Sequence, residues 1–400
     1  MKVLVMNCGS TSLKFELVDL DADRPLWGGE LTGVGTPDAT LSRGPRGRRT
    51  SGRVRAPDLM AALRLVLDEV ARSPEMAGSI DAVAHRIGHG GLRYRQAVEI
   101  DSDVKAEIAR LIPLVPLHHP AMLAGIAAAE KLLPGVPQVA VFDTAFHGDI
   151  PEHAAIYGIP RSWFDRGVRK FGFHGHAHQF ATLQAASMLE KPADELRLVT
   201  CHLGGGASVS AIANGRSLDN SLGFSSLPGL LMGTRCGDID PGILVYLMQE
   251  RGLTLEQVQQ ILSRQGGLLG ISGLSADMRE LERAADAGHD GAQLAIRAFC
   301  YRVRLYIGAY LAVLGGAQAI VFSGGIGTNS ARVRSGCLQG LQALGFALDE
   351  RANLACRVDE NSPVAAIDDG RSPGRILVVA VDEELMMARQ CAQALGWADG

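Results

Sequence analysis

Two glycine-containing turns, each lying between apolar strands, constrain the fold of this chain most strongly. The first carries Asn7 and Gly9 and leads into a second strand that Lys14 opens. The second, residues 204–206, follows an apolar run near position 200 and precedes another. Glycine lets a phosphate approach the backbone, and nearby hydroxyl and lysine groups add donors. The repetition indicates a duplicated nucleotide-binding fold, although one such turn alone is equally typical of a hairpin.

The length and composition favour two globular domains. The chain has 400 residues, more than one hydrophobic core usually supports, and 47% of them are hydrophobic. A net charge of -4 argues against a general nucleic-acid binder. The arginine-rich segment 43–55 contains glycine, proline and serine but no aromatic residue, so we expect a solvated loop there rather than a nucleic-acid patch.

The cysteines and the apolar tracts indicate a cytoplasmic protein. The seven cysteines are scattered and form no Cys-x-x-Cys pair, which is typical of reduced thiols. No secretory signal pattern opens the chain. The longest apolar tract, residues 307–322, is too short to span a membrane and is interrupted by polar and glycine residues.

Strands and helices alternate along the chain, which predicts an α/β architecture with mixed sheets. Buried strands are predicted near residues 2–6, 81–84, 138–142, 196–202, 318–322 and 375–380. Helices are predicted at residues 58–72, 120–133, 240–249, 255–263, 293–314 and 383–394. We place the main domain boundary near residues 148–152 and expect the last helix to return to the first domain.

Two further segments favour phosphoryl chemistry. Residues 321–330 end a buried strand with three glycines, where backbone can approach a flat or anionic ligand or simply turn into a helix. Arg235 lies in a glycine-rich turn, and its guanidinium suits bidentate recognition of phosphoryl oxygens. In the same turn Asp240 precedes Pro241 and is better explained as a helix N-cap than as a catalytic group.

Six motifs, in this order, resemble the acetokinase family over nearly the whole chain. They are Asn7-x-Gly-Ser-x-Ser-x-Lys14, His85-Arg86-x-x-His89-Gly-Gly91, Pro116-Leu-His118, Phe142-Asp-Thr-Ala-Phe-His147, Phe173-His-Gly175 and Met232-Gly-Thr-Arg-x-Gly-Asp-Ile-Asp-Pro241. The resemblance implies a duplicated two-domain, actin-like (ribonuclease H-like) ATPase fold with mixed sheets. It implies that residues 1–150 with about 383–400 form the carboxylate side and residues 151–382 the nucleotide side.

The resemblance also implies the reaction, a reversible in-line transfer of a phosphoryl group from ATP to acetate, giving acetyl phosphate and ADP. Mg²⁺ or Mn²⁺ would be required, and the protein would be a homodimer. A carboxylate is already a nucleophile at neutral pH, so such a site needs cations more than a strong base. Two alternatives stay open at this point, a propionate or butyrate kinase and an ATPase switch of the actin and heat-shock type.

Residue roles follow from the resemblance alone. The implied catalytic residues are Arg86, His118, Asp143, His174 and Arg235, and the implied metal-binding residues are Asn7 and Glu383. The implied nucleotide contacts are Lys14, His202, Leu203, Gly204, Gly205, Gly206, Asp277, Met278, Arg279, Gly325, Ile326, Gly327, Thr328 and Asn329. The alternating His174, His176 and His178 also raise the alternative of a structural metal site, for which no fourth ligand is evident nearby.

The acyl group of the substrate is implied to contact Gly88, Leu117, Phe173 and Ser226. Family members typically carry valine and proline where Gly88 and Ser226 stand, so we expect acceptance of acids longer than acetate, unless the pocket collapses. The chain also departs from the family at Gly205, His176-Ala177, His119 and Thr328. The changes at Gly205 and Thr328 fall in the turns that face the nucleotide.

Overall fold

The computed structural model describes residues 1–72, 80–116 and 118–397. The chain divides into two compact units, the first formed by residues 1–148 and 382–400 and the second by residues 149–381. Each unit contains one mixed sheet. The predicted α/β class with mixed sheets is therefore confirmed.

The strands of the described residues run in the following order. They are β1 Lys2–Cys8, β2 Ser12–Asp19, β3 Arg24–Thr32, β4 Thr40–Gly44, β5 Thr50–Arg53, β6 Ala82–Ile87, β7 Val98–Glu99, β8 Gln138–Phe142, β9 Arg197–Leu203, β10 Ala207–Ala213, β11 Arg216–Asn220, β12 Ala319–Ser323, β13 Val364–Ala366 and β14 Arg375–Val379. All six predicted strands are present, and β2 begins at Ser12, before Lys14.

The helices of the same residues include all six that the periodicity predicted. They are α1 Leu59–Arg72, α2 Ser102–Arg110, α3 His119–Leu132, α4 Glu152–Ala155, α5 Arg161–Asp165, α6 Gly175–Leu189, α7 Pro241–Gln249, α8 Leu255–Arg264, α9 Gly267–Ser272, α10 Met278–Asp286, α11 Asp290–Leu314, α12 Gly324–Asn329, α13 Ala331–Leu338, α14 Glu350–Ala355 and α15 Glu383–Ala394. Short 3-10 helices lie at Ile112–Leu114, Ala145–His147, Ala193–Glu195 and Leu341–Leu344.

The two sheets repeat one topology. In the first unit the order is β5-β4-β3-β2-β1-β6-β8-β7, and in the second it is β11-β10-β9-β12-β14-β13. In each, an antiparallel run of three strands (β3-β2-β1 and β11-β10-β9) is followed by two strands parallel to its last member. This repeated order gives the duplication that the two glycine turns predicted, since each turn joins the same pair of strands in its own sheet.

Apolar side chains explain why the helices pack on these sheets. In the second unit α11 places Phe299, Val303 and Ile307 against the buried faces of β9 and β10. In the first unit α15 packs on β1, β6 and β8. Asp382 is the N-cap of α15, and its side chain accepts a hydrogen bond from the backbone N–H of Leu385 at 2.9 Å. The start of α15 is thus fixed beside the central strands.

The prediction of a solvated loop at residues 43–55 is wrong, because the segment forms the β4–β5 hairpin. The Arg43 Nε donates to Glu69 at 2.8 Å, and Arg46 lies between Glu16 and Asp382, at 2.5 Å from each. The Gly-Pro-Arg-Gly stretch at residues 44–47 lies in the turn between β4 and β5. Carboxylates on other elements bind its arginines, and a composition argument cannot detect such partners.

None of the helices in the described part of the chain is both long and apolar enough to cross a membrane.

Candidate active site

A fixed cation lies at the carboxyl edge of the first sheet. Arg86 is on β6 beside β8, and Asp143 follows directly after β8. The Arg86 Nε donates to both carboxylate oxygens of Asp143, at 2.9 and 3.1 Å, and its Nη2 lies 3.4 Å from Oε2 of Glu383. Burial alone would lower the pKa of Arg86, but Asp143 and Glu383 outweigh it and raise the pKa above the usual value. The guanidinium therefore stays charged and its direction is set.

Glu383 and Asn7 carry oxygen atoms that could serve a metal in this unit. Glu383 is the first residue of α15, and its side chain is 23% exposed. Asn7 lies near the end of β1, opposite the exposed Lys14 of β2. Carboxylate and amide oxygens are ligands that suit Mg²⁺, which usually keeps several waters. Each of the two residues therefore offers an oxygen of the kind that a hydrated magnesium ion accepts.

Gly88 lies two residues after Arg86 and carries no side chain. It follows β6 directly and is partly exposed. A Cβ built at Gly88 would lie 3.8 Å from Val115 Cγ1, 3.9 Å from Met122 Cε and 4.0 Å from His119 Nε2, all ordinary contacts. A Cβ at this position therefore fits without moving the backbone, and glycine leaves that space unfilled. Leu117 lies outside the described residues.

The two histidines around the start of α3 have different surroundings. His118 is exposed and is the N-cap residue, directly before the helix. His119, which the sequence singled out only as a departure from the family, is fully buried, and its Nδ1 lies 2.9 Å from the carbonyl oxygen of Ile108. Burial lowers the pKa of His119, so it is neutral at pH 7 and donates from Nδ1 to that carbonyl.

In the second unit Arg235 and His174 converge on Gly206. A Cβ at Gly206 would lie 2.7 Å from Arg235 Nη2 and 3.2 Å from His174 Nε2. A side chain here would displace both groups, so glycine is needed for them to pack against the turn. The two nitrogens are therefore at most about 6 Å apart, close enough for both to bind one oxyanion beside the glycine turn.

The directions of Arg235 and His174 are held by neighbouring groups. The Arg235 Nη1 donates to the carbonyl oxygen of Ser226 at 2.6 Å, and burial lowers the pKa of Arg235 from its usual value. His174 has φ of 59°, a left-handed conformation that costs a non-glycine residue about 1 kcal/mol. Its ring lies 5.1 Å from the His202 ring and its Nδ1 lies 2.9 Å from Ser208 Oγ. Such strain at a binding position is typical of functional residues.

A cavity of about 750 Å³ lies in the second unit, beyond the glycine turn. It is lined by Gly204, Gly205, Ala276, Asp277, Met278, Arg279, Glu282, Gly325, Ile326, Asn329 and Ser330. Its volume is that of a site for a drug-sized ligand such as a nucleotide. Eight of the residues that the sequence assigned to the nucleotide line it.

Asp277 has a structural role beside this cavity. It is the N-cap of α10 and accepts a hydrogen bond from the Arg279 backbone N–H at 2.8 Å. The Arg279 side chain also donates to it at 2.5 Å, and these hydrogen bonds lower the pKa of Asp277 to about 2. Asp240 is likewise the N-cap of α7, as predicted, with Pro241 in the first helical position.

The structure brings the other predicted residues to different places. Lys14 belongs to the first unit, while the cavity belongs to the second. His202, Leu203, Gly206, Gly327 and Thr328 do not line the cavity; they belong to β9, its following turn and α12. Phe173 is buried in the core of the second unit, and Ser226 contributes its carbonyl oxygen to Arg235. Glu282, Ala276 and Ser330 line the cavity and were missed.

The three alternating histidines do not form a metal site among the described residues. The one group of three potential ligands within reach of a common ion there is Glu16, Asp382 and Glu384, and Arg46 is already bound between these carboxylates. His174 and His178 are joined instead through the hydroxyl of Ser208. The sequence carried a signal for this link, because residues four apart share one helix face.

Comparisons with known proteins agree over the full length of the chain. Residues 2–389 match the family model described as "Acetokinase family". The chain is 44% identical over 402 residues to the acetate kinase of Caldicellulosiruptor bescii, covering 99% of this chain and 100% of the relative. It is 43% identical to that of Desulfitobacterium hafniense, with 97% and 98% covered.

Solved structures give the same result. The acetate kinase of Porphyromonas gingivalis superimposes with a TM-score of 0.92 at 38% identity, covering 98% of this chain and 99% of that one. A propionate kinase from Francisella tularensis gives 0.90 at 35% identity, with 97% and 98% covered. The predicted duplicated actin-like fold and the predicted enzyme class, a carboxyl-acceptor phosphotransferase, are therefore confirmed. The alternative of an ATPase switch is no longer needed, because the chain belongs to the acetokinase family.

Proposed function

We propose that this chain is an acetate kinase that transfers the terminal phosphoryl group of ATP to acetate, giving acetyl phosphate and ADP, reversibly. The observation that carries the proposal is that Arg235 Nη2 and His174 Nε2 lie together beside Gly206 of the glycine turn. Charge on the transferring phosphoryl group is spread over three oxygens, and preset donors aimed at it lower the barrier.

Arg86 is the proposed carboxylate-binding group. A guanidinium presents a planar fork that suits a carboxylate. Asp143 fixes its direction through Nε, and Nη2 lies beside Glu383, so Nη1 is the group proposed to bind the substrate. Asp143 thereby acts on the orientation of Arg86 rather than as a base. Acetate is ionised at neutral pH and needs no proton removed before it attacks.

The cavity lined by Gly205, Asp277 and Gly325 is the proposed site of the adenosine of ATP. An ADP or ATP molecule fits its volume of about 750 Å³, and the glycines permit close approach of a flat base. Asn7 and Glu383 are the proposed residues that hold Mg²⁺ through bound water. When bound, this ion supplies positive charge to the phosphate oxygens.

The preferred acyl chain is the finer part of the proposal. The absence of a side chain at Gly88 favours acids longer than acetate as additional substrates. One of the similar solved structures is named a propionate kinase. One extra methylene in an apolar pocket is worth about 1–3 kcal/mol. Propionate, and then butyrate, are the proposed additional acceptors.

The resemblance to the family is also the basis for proposing a cytoplasmic homodimer. Light scattering on the purified protein tests the association, and a dimer has about twice the chain mass of 42.4 kDa.

The test of the reaction is hydroxamate formation. The purified protein is incubated with ATP, Mg²⁺, hydroxylamine and one acid from a panel of formate, acetate, propionate, butyrate and succinate. Hydroxylamine traps an acyl phosphate as a coloured hydroxamate, so formation with acetate supports the proposal. ATP hydrolysis without hydroxamate for any acid would overturn it.

A further inference from the structure

Three buried side chains and the partly buried His174 form a continuous hydrogen-bonded row in the second unit. His174 Nδ1 lies 2.9 Å from Ser208 Oγ, and Ser208 Oγ lies 2.8 Å from His178 Nε2. His178 Nδ1 lies 2.7 Å from Thr200 Oγ1. Ser208, His178 and Thr200 have no exposed surface. The Nε2 of His174, at the end of this row, lies beside Gly206 of the glycine turn.

The local structure explains why these residues meet. His174 and His178 are one helical turn apart, at the start of α6, and this helix packs on β9. Thr200 is on β9, and Ser208 is on the neighbouring strand β10, directly opposite His202 of β9. The glycine turn 204–206 joins these two strands. The row therefore connects the sheet to the turn that Arg235 and His174 share.

The row can be protonated in two directions. In one, Thr200 donates to His178 Nδ1, His178 Nε2 donates to Ser208, and Ser208 donates to His174 Nδ1. A neutral His174 then carries its proton on Nε2. In the other direction every bond is reversed, and a neutral His174 presents a lone pair at Nε2 instead. Each hydroxyl and each neutral imidazole has one proton to give, so no mixed arrangement keeps all three bonds.

Thr200 selects between the two directions. Its hydroxyl makes no hydrogen bond to any described residue other than His178. In the reversed direction Thr200 would accept from His178, and its own fully buried O–H would have no acceptor. A buried donor without a partner costs about 1–3 kcal/mol, while an unused second lone pair of a hydroxyl costs less. The direction in which Thr200 donates is therefore the stable one.

We propose that Ser208, His178 and Thr200 are positioning residues that hold neutral His174 in the tautomer protonated on Nε2, so that it donates an N–H to the phosphoryl group. This inference rests on the proposed function for the role of His174. Neutral imidazole can then assist the transfer without first becoming a cation. The fixed charge of Arg235, which lies beside the same glycine, makes a second cation there costly.

The other ionisable groups near His174 are few among the described residues. His176 and His178 lie on its own helix, His202 faces it from β9, and Arg235 faces it across Gly206. The remaining charged residues of elements packed against α6 lie at the far end of that helix, where β9 and β14 begin. They are Asp194, Glu195, Arg197 and Arg375.

The direct test is the tautomer of the two histidines in the wild-type protein. Long-range ¹H–¹⁵N spectra of the ¹⁵N-histidine-labelled enzyme at pH 8.5 distinguish a protonated Nε2 from a protonated Nδ1. We expect His174 and His178 both to be protonated on Nε2. Protonation of both on Nδ1 would overturn the inference whether or not the enzyme makes acetyl phosphate, so it is tested separately from the proposed function.

The kinetic test uses Ser208→Ala, with Ser210→Ala as the matched control. Ser210 is on the same strand and equally buried, but it bonds to Asn220 and not to the row. We expect Ser208→Ala to lower kcat about tenfold while KM for ATP stays within about threefold. In its spectrum His174 should be a mixture of the two neutral tautomers rather than protonated on Nε2 alone.

Variants that keep or remove the hydrogen bonds of the row provide a second test. Ser208→Thr keeps the hydroxyl and His178→Gln keeps a donor toward Ser208, so each should keep His174 protonated on Nε2 and keep most of kcat, whereas His178→Leu should lose both. A loss of kcat in Ser208→Ala with His174 still protonated on Nε2 alone, or the same loss of kcat in Ser210→Ala, would mean that these residues only support the fold.

Discussion

Arg46 donates from Nη1 to Asp382 Oδ2 at 2.5 Å and thereby joins the β4–β5 hairpin to the residue that caps α15. The same guanidinium donates to Glu16, whose side chain is 4% exposed. Burial would lower the pKa of Arg46, but hydrogen bonds to Glu16 and Asp382 raise it. Because Glu383 is the next residue, this contact fixes the position from which its carboxylate extends.

Replacing Arg46 should destabilise the start of α15. Arg46→Met leaves Glu16 buried without its principal cation, and we expect a loss of about 2–3 kcal/mol in the stability of the first unit. Urea unfolding and hydrogen exchange of the α15 amides measure it. Arg53→Met on the same hairpin is the control, because its pair with Asp38 is exposed and spans 3.8 Å. The control should change stability by less than about 0.5 kcal/mol. Equal losses of stability in Arg46→Met and Arg53→Met would show that Arg46 does not stabilise the start of α15.

Glu383→Gln should raise the magnesium requirement. Asn7 is neutral, so Glu383 supplies the protein charge nearest the proposed ion. We expect the Mg²⁺ concentration for half-maximal rate to rise about tenfold, and Mn²⁺ binding to weaken in parallel by electron paramagnetic resonance. Glu384→Gln, the next residue in the helix, removes the same charge as a control. Unchanged metal binding in Glu383→Gln would remove this residue from the site.

Arg235→Ala should lower turnover much more than nucleotide affinity. The guanidinium lies beside Gly206 and His174, where we propose that charge develops during transfer. We expect kcat to fall about 10²- to 10³-fold while KM for ATP stays within about threefold. Arg332→Ala, which removes an exposed arginine of the same unit, should be neutral. Turnover within about threefold of wild type would argue against the role, since that corresponds to less than about 1 kcal/mol.

Gly88→Val should narrow the range of acids. A Cβ at residue 88 would meet its nearest neighbours at 3.8–4.0 Å, so the added side chain begins without a clash and takes up space that glycine leaves unfilled. We expect kcat/KM for propionate relative to acetate to fall about tenfold, with Gly88→Ala intermediate. If kcat/KM for propionate in the wild type is below about one hundredth of that for acetate, and Gly88→Val does not lower this ratio further, the pocket has collapsed.

The buried, neutral His85 should make the stability of the protein fall in mild acid. Burial lowers the pKa of His85 to about 4, against about 6.5 in an unfolded chain. The unfolded chain binds this proton first, so the stabilisation is complete above pH 6.5 and is lost as pH falls toward 4. From pH 7.5 to pH 5 the loss is about 2 kcal/mol. Urea unfolding at both pH values measures it. His85→Gln should reduce that difference, whereas His153→Gln, at an exposed histidine, should not.

Much of the fold was predictable because the signals are local. Apolar runs gave the six strands that form the centres of both sheets, and helical periodicity gave six helices, including the capped α7 and α15. Short helices such as α12 were not assigned, since six residues give no period to recognise. The hairpin at residues 40–53 was missed because glycine and arginine carry little strand preference.

For the site, the sequence by itself determined the residue types: its motifs single out Arg86, Asp143, His174, Arg235 and the glycine turns. Only the tertiary structure decided which groups these residues meet. Arg46 lies 336 positions before its partner Asp382, and Ser208 lies 30 positions after His178. Such pairs have no fixed spacing, because strand register and helix packing create them. The physical reason is that composition and period report burial and local conformation, whereas a hydrogen bond requires two atoms to meet within about 3 Å.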